Sequence, residues 1–375
     1  MNAEPETDYL IAVALDRAPP VHSYNVRVRP GLLADAGAII AGECAAERYL
    51  IVTDSQVGRL YADRLRETLA GGDRPVGVVQ FAAGEWNKTR ESWGELTDGM
   101  ARARLGRETL VIALGGGVTC DLAGFLAATY AGGLALALVP TSLAAMLDAP
   151  LAGRASLHTE AGRNLIGLRH APSLVLIDPL LLGTLPRPQY LAGLAPALKH
   201  GLIADSAYLQ ELETSLGAIM AREPSALAAV ISRSLEIKAE VLRRDQTEAG
   251  YGQVLEFGER SARVQQAILG YSWLDGETLA VGLALEAALG EAVGMTRPGV
   301  AERVRATLRE VGLPTELDGE IDDASFLEAR ERLARREASD YTLLADVGCV
   351  ARSEQGAWVQ EVGVEVVRSA IFGAS

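Results

Sequence analysis

Three consecutive glycines, Gly115, Gly116 and Gly117, follow the apolar run Thr109 to Leu114 and precede a helical pattern. Glycines there let backbone amides approach a diphosphate closely, and a helix N-terminus favours its negative charge. The run departs from G-x-G-x-x-G, so a tight structural turn accounts for it equally well. Other reactive groups are scarce. Histidine, the commonest metal ligand, occurs only at His22, His158, His170 and His200. The three cysteines, Cys44, Cys120 and Cys349, lie far apart without C-x-x-C spacing, which argues against a disulfide framework or a cysteine metal cluster and fits a reducing cytoplasm.

The elements that must position such groups are legible in the hydrophobic pattern. The runs 49–53, 76–81, 109–114, 134–139 and 174–177 are apolar without strict alternation, as strands covered on both faces are. Helical patterns separate them, which predicts a parallel α/β sheet, with 21–28 as a separate edge strand. After Asp178-Pro179 the stretches 187–203, 205–220, 224–244, 261–269 and 277–293 read as helices, and strand signals return only at 341–344. The expected organisation is an α/β Rossmann-like domain over 1–179 and an all-α domain over 180–375.

The chain has 375 residues, 49% of them hydrophobic, and a formal charge of -14. The acidic balance disfavours nucleic acid and anionic membranes as partners, since both attract basic surfaces. The polar, acidic start (Met1 to Tyr9) shows no secretory signal. The most apolar stretch, 133–152, contains Pro140, Asp148 and Pro150 and reads as a buried strand entering a helix rather than a membrane span. A cytoplasmic location is expected.

Longer motifs sharpen the reading. Leu114-Gly115-Gly116-Gly117-Val118-Thr119-Cys120-Asp121, Gly84-Glu85-Trp86-Asn87-Lys88, Val52-Thr53-Asp54-Ser55 and Pro140-Thr141-Ser142-Leu143 occur in one order with Gly162-Arg163-Asn164 and Ala192-Gly193-Leu194-Ala195-Pro196-Ala197-Leu198-Lys199. Together they resemble the dehydroquinate synthase family, the sugar phosphate cyclases, over roughly residues 25 to 350. That family closes a sugar phosphate into a carbocycle with NAD and a divalent metal. The resemblance implies a dehydroquinate synthase-like fold and NAD contacts from Asp54, Glu85, Lys88, Gly115, Gly116, Gly117, Asp121, Thr141 and Ser142. It implies catalytic positions at Lys199, Lys238, Asn164, Asp148, Arg154 and Arg163, the two arginines standing where the family has lysines. A homodimer, or a heterodimer with a related cyclase, is the implied assembly.

The resemblance also assigns three metal-ligand positions, and they hold Pro196, Glu259 and Asp275 rather than one Glu and two His. Family phosphate-gripping arginines correspond to Gly132 and Gly252, and Glu256 and Arg263 replace an Asn and a His. No divalent metal is therefore expected. Glu256, Glu259 and Asp275 form either a hard-metal site or a plug neutralised by Arg260 and Arg263, and the plug is favoured. His200, one helical turn beyond Pro196, is a further possible ligand but reads better as a structural histidine. The expected function is a catalytically silent NAD-binding member or partner subunit of a cyclase. The alternative is altered NAD-dependent chemistry on a sugar-derived or cyclitol substrate in specialised metabolism. A simple NAD-linked dehydrogenase is the weakest reading.

Overall fold

The computed structural model describes residues 23–71, 74–245, 247–334 and 340–373. The first part alternates strands and helices: β1 Asn25–Val28, α1 Ala36–Glu43, β2 Arg48–Asp54, α2 Asp63–Leu69, β3 Val76–Phe81, α3 Arg90–Arg102, β4 Thr109–Gly115, α4 Gly117–Thr129, β5 Ala135–Pro140 and α5 Leu143–Ala152. An antiparallel hairpin, β6 Arg154–Thr159 and β7 Gly162–Arg169, precedes the last sheet strand, β8 Leu174–Ile177.

Six strands form one parallel sheet in the order β1-β8-β5-β4-β2-β3. Every residue of β4 is buried, as both-face coverage by helices requires. The chain leaves β2 for β3 on one side and reaches β4 on the other. Ligands of open parallel sheets bind at such a reversal, beyond the carboxyl ends of the strands. Here those ends are Asp54 and Gly115.

The remainder is helical: α6 Arg187–Ala192, α7 Ala195–Ala204, α8 Ser206–Thr214, α9 Leu216–Met220, α10 Pro224–Arg244, α11 Glu259–Leu269, α12 Asp275–Ala292, α13 Val300–Val311 and α14 Asp323–Ala334. A short ribbon, β9 Leu344–Asp346 with β10 Cys349–Val350, and α15 Val364–Phe372 complete it.

The five expected strands and the change to helices after Ile177 are present, but β3 lies at the sheet edge and is only partly covered. The expected edge strand is β1, beginning at Asn25, and residues 21–22 lie outside the described part. Two expected long helices are broken. The stretch 187–203 divides at Gly193-Leu194 because Pro196, which has no amide hydrogen to donate, sits at the start of α7. The stretch 205–220 divides at Ser215.

Close packing ties α12 to α11. Glu286 of α12 is fully buried and accepts from the backbone amides of Gly258 (2.6 Å) and Ser261 (2.9 Å), donors at the start of α11 with no partner inside that helix. Burial pushes its carboxyl up to about 7, against the opposing effect of these amides and of Arg260. A carboxyl raised above its ordinary 4.5 binds its proton more tightly when folded, so its contribution to stability is full below about pH 4.5 and is lost as pH rises through about 7. Wild-type stability should therefore fall between pH 5 and 8 relative to Glu286→Gln, by on the order of 2–3 kcal/mol. Thermal unfolding of both proteins across that range checks this, and parallel pH curves would refute it.

Candidate active site

The glycine turn lies at the strand-order reversal. α4 starts at Gly117, and a Cβ there would meet nothing within 4 Å, so its amide end is open to a ligand. A Cβ on Gly115 would fall 2.2 Å from Thr119 Oγ1, and one on Gly116 would lie 3.4 Å from Ser142 Oγ. Asp54 stands beside the turn: its Oδ1 accepts from the amides of Gln56 and Val57, and its Oδ2 from Thr119 Oγ1 at 3.4 Å. Thr141 donates its amide to Gly115 O, and Ser142 Oγ caps α5. The backbone at this reversal therefore fits a diphosphate.

A buried polar cluster adjoins the turn. The Lys88 ammonium, 5% exposed, pairs with Asp121 and donates to Asn164 Oδ1 at 2.7 Å. Burial raises the Asp121 carboxyl while Lys88 opposes the rise. Glu85 meets His158 Nε2 at 2.9 Å; burial would raise its carboxyl, but His158 and Lys88 outweigh it and the net shift is downward.

On the helical side, Lys238 of α10 pairs with Asp148 of α5 and donates to the Asp148 carbonyl. The Lys238 charge, ahead of other effects, lowers the Asp148 carboxyl to about 2. Lys199 of α7 meets Glu259 at 2.6 Å and Leu255 O at 2.9 Å. Burial opposes the charge on Lys199, but Glu259 more than offsets it and the amine sits above its ordinary range. Lys199 is therefore an ammonium group and not the readily titrating base that desolvation alone would make. Asp121 feels Glu85 and Asp148, and Asp275 feels Glu85 and Lys88, so these groups share one electrostatic neighbourhood.

The predicted catalytic residues thus come together with one exception. Arg154 is half exposed and pairs with Glu248 at 2.6 Å. Arg163 does join this neighbourhood: Nη1 lies 2.5 Å from Asp275 Oδ1, its guanidinium stacks over Tyr271, and its charge acts on Glu85. His158 and the β6–β7 hairpin were not singled out by the sequence reading. The hairpin's cue was the apolar-polar alternation in Arg154 to Thr159 ahead of Gly162.

The three positions assigned to metal ligands supply two carboxylates and no histidine. Pro196 offers no side-chain donor. Glu259 and Asp275 are the first residues of α11 and α12, where a helix dipole favours acids, and each is committed to a cation of the chain. Among the described residues no group of three or more His, Cys, Asp or Glu is placed to hold a metal. His200 is buried, neutral and bonded through Nδ1 to Ser234 at 2.7 Å, so it is a core histidine.

The plug has other partners than expected. Arg263 does meet Glu256 at 2.7 Å; burial raises that carboxyl and Arg263 outweighs it, leaving it low. Glu259 is neutralised by Lys199 and Asp275 by Arg163, whereas Arg260 is buried and acts on Glu286 and Glu256. Helix direction explains this: side chains at the first turn of α11 diverge by about 100° per residue. At the two glycines standing for phosphate arginines, Arg107 Nη1 lies 3.5 Å from where a Gly132 Cβ would be, and a Gly252 Cβ would crowd Glu248.

A parallel sheet with a glycine turn at its reversal, facing a helical unit that carries buried lysines, defines a dehydroquinate synthase-like protein. Residues 78–192 match the family model for the 3-dehydroquinate synthase N-terminal region, and 193–335 that for its C-terminal region. The chain belongs to the 3-dehydroquinate synthase family. It is 38% identical over 301 residues to a curated 3-dehydroquinate synthase of Symbiobacterium thermophilum, covering 80% of this chain and 84% of the relative. It is 37% identical over 333 residues to that of Xanthomonas oryzae pv. oryzae, covering 87% and 89%. A 2-epi-5-epi-valiolone synthase of Streptomyces hygroscopicus subsp. jinggangensis, solved with NAD+ and Zn2+ bound, superposes with a TM-score of 0.84 at 28% identity over 97% of this chain and 98% of that one.

These similarities overturn the expectation of a catalytically silent or partner subunit, and that of altered chemistry. Identity of 37–38% with curated 3-dehydroquinate synthases runs through most of both chains. Among the described residues no helix is long and apolar enough to cross a membrane.

Proposed function

We propose that this chain is a 3-dehydroquinate synthase that closes a sugar phosphate into a carbocycle with NAD as bound cofactor. The observation that carries this reading is the 38% identity to a curated 3-dehydroquinate synthase over 80% of the chain. NAD, when bound, supplies a hydride acceptor for a substrate carbinol. The Gly115–Gly117 amides would hold its diphosphate, and the Asp54 carboxylate would accept from a ribose hydroxyl. Lys88, pinned by Asp121 and Asn164, fixes the wall of the cleft on the cofactor side. Lys199 and Lys238 lie on the helical side, held by Glu259 and Asp148, where their N–H groups are preorganised as hydrogen-bond donors to a developing oxyanion. Formation of 3-dehydroquinate by the purified protein with NAD and the sugar phosphate used by the curated enzymes tests the reading. No product above a Lys238→Met control would overturn it.

We further propose that it is a divergent member whose metal-ligand positions are refilled by Pro196 and by the ion pairs Lys199–Glu259 and Arg163–Asp275. The Zn2+ of the valiolone synthase structure argues the other way, and calorimetric titration with Zn2+ and Mn2+ in the presence of NAD decides. The expected result is no saturable tight equivalent. One equivalent that disappears in Glu259→Ala or Asp275→Ala would show that the carboxylates exchange their cationic partners for a metal.

A further inference from the structure

His158, its side chain 5% exposed, is held at three points, one on the backbone and two on the ring. Its own amide donates to Lys88 O at 2.8 Å, its Nε2 meets Glu85 Oε1 at 2.9 Å, and its Nδ1 accepts from the Asn164 amide at 3.1 Å. A ring nitrogen that accepts from an amide carries no proton, so the ring proton resides on Nε2 and is donated to Glu85. Both nitrogens are thereby occupied, and the ring has none left to act as a base on substrate.

What the ring does is join two segments of the chain. Glu85 and Lys88 belong to the loop after β3, and Asn164 to β7. Asn164 has φ 55°, the left-handed region, which Asn tolerates better than most residues and which still needs support from its surroundings. In that conformation its amide faces His158 Nδ1 while its Oδ1 receives both Lys88 Nζ (2.7 Å) and Ser156 Oγ (3.0 Å).

We propose that His158 is a positioning residue of this site: its neutral imidazole locks the cofactor-side loop 84–88 to the β6–β7 hairpin and holds Asn164 against Lys88. The proposal rests on the function given above and adds a coupling between the loop after β3 and the β6–β7 hairpin. Nothing in the reaction requires the ring to touch substrate.

The test uses the full chain labelled with 15N in its histidine rings, a set of only four residues, with His158→Gln to assign the signal. With NAD present, the His158 ring is expected to show the Nε2–H tautomer at neutral pH. His158→Ala is expected to weaken NAD binding and lower kcat/KM, each by roughly ten- to hundredfold, as loss of bonds to charged and buried partners does. A protonated Nδ1 at neutral pH would overturn the proposal. So would a folded His158→Ala protein with NAD affinity and kcat/KM unchanged within twofold. Should His158→Ala fail to fold, the wild-type ring signals still decide. A wild-type protein that forms no 3-dehydroquinate would count against the function instead, while ring signals and NAD affinity continue to read the lock.

Discussion

Replacing Lys88 by Met is expected to lower kcat/KM by roughly 10²–10³-fold and to weaken NAD binding with it. Among the described residues, Lys88 is the cation that pairs with Asp121, a group whose carboxyl burial already pushes upward. Removing one member of a buried pair leaves the other uncompensated, at a cost of about 3–5 kcal/mol, and each 1.4 kcal/mol is a tenfold change. Asn164 also loses the donor that orients its side-chain oxygen. The loss therefore falls on the cofactor wall and on the hairpin together. Calorimetric NAD titration alongside steady-state kinetics checks this, and an NAD dissociation constant within threefold of wild type would refute it. Lys88→Met with Asp121→Asn should recover part of the lost stability, because no orphan charge remains, but little of the turnover.

Gly282→Ala is expected to destabilise the folded protein by about 3 kcal/mol or more, the upper part of the range for overpacking. A Cβ on Gly282 would lie 2.0 Å from the Gly258 carbonyl oxygen and 3.2 Å from the Ala262 amide nitrogen, both backbone atoms of the α11 start. Side chains can rotate away from a clash, but a helix start cannot move without carrying its residues along. Glu286, one turn further along α12, binds the same α11 start through two amides. Displacing it shifts Glu259 from Lys199 and Glu256 from Arg263, so turnover should fall as well. Gly217→Ala is the control, since a Cβ there meets nothing within 4 Å. Helical alanine in place of glycine should leave stability unchanged or raise it by up to about 1 kcal/mol. Equal melting temperatures for the two variants would refute the packing argument.

The site shows unevenly what a sequence reveals. The nucleotide elements were readable because each is local: a buried strand, three glycines and a helix start stand next to one another in the chain. The neutralising partners were not. Lys199 and Glu259 are 60 residues apart, and Arg163 and Asp275 are 112 apart. Spacing within α11 suggests Arg260 for that role, but its side chain is buried and acts on Glu286 and Glu256. The expectation of a silent subunit rests on Pro196, Glu259 and Asp275 together with Gly132 and Gly252, and the 37–38% identity spread through most of the chain outweighs these few positions.

By itself the sequence determined the α/β-then-helical order, the buried strands and the glycine turn, because apolar periodicity and backbone freedom act over a few residues. Only the tertiary structure decided that Asp54 and Gly115 meet at the strand reversal, that His158 joins Glu85 to Asn164, and which cation answers each carboxylate. Those outcomes depend on contacts between distant segments, and burial fixes them only when the sheet and helices close on one another.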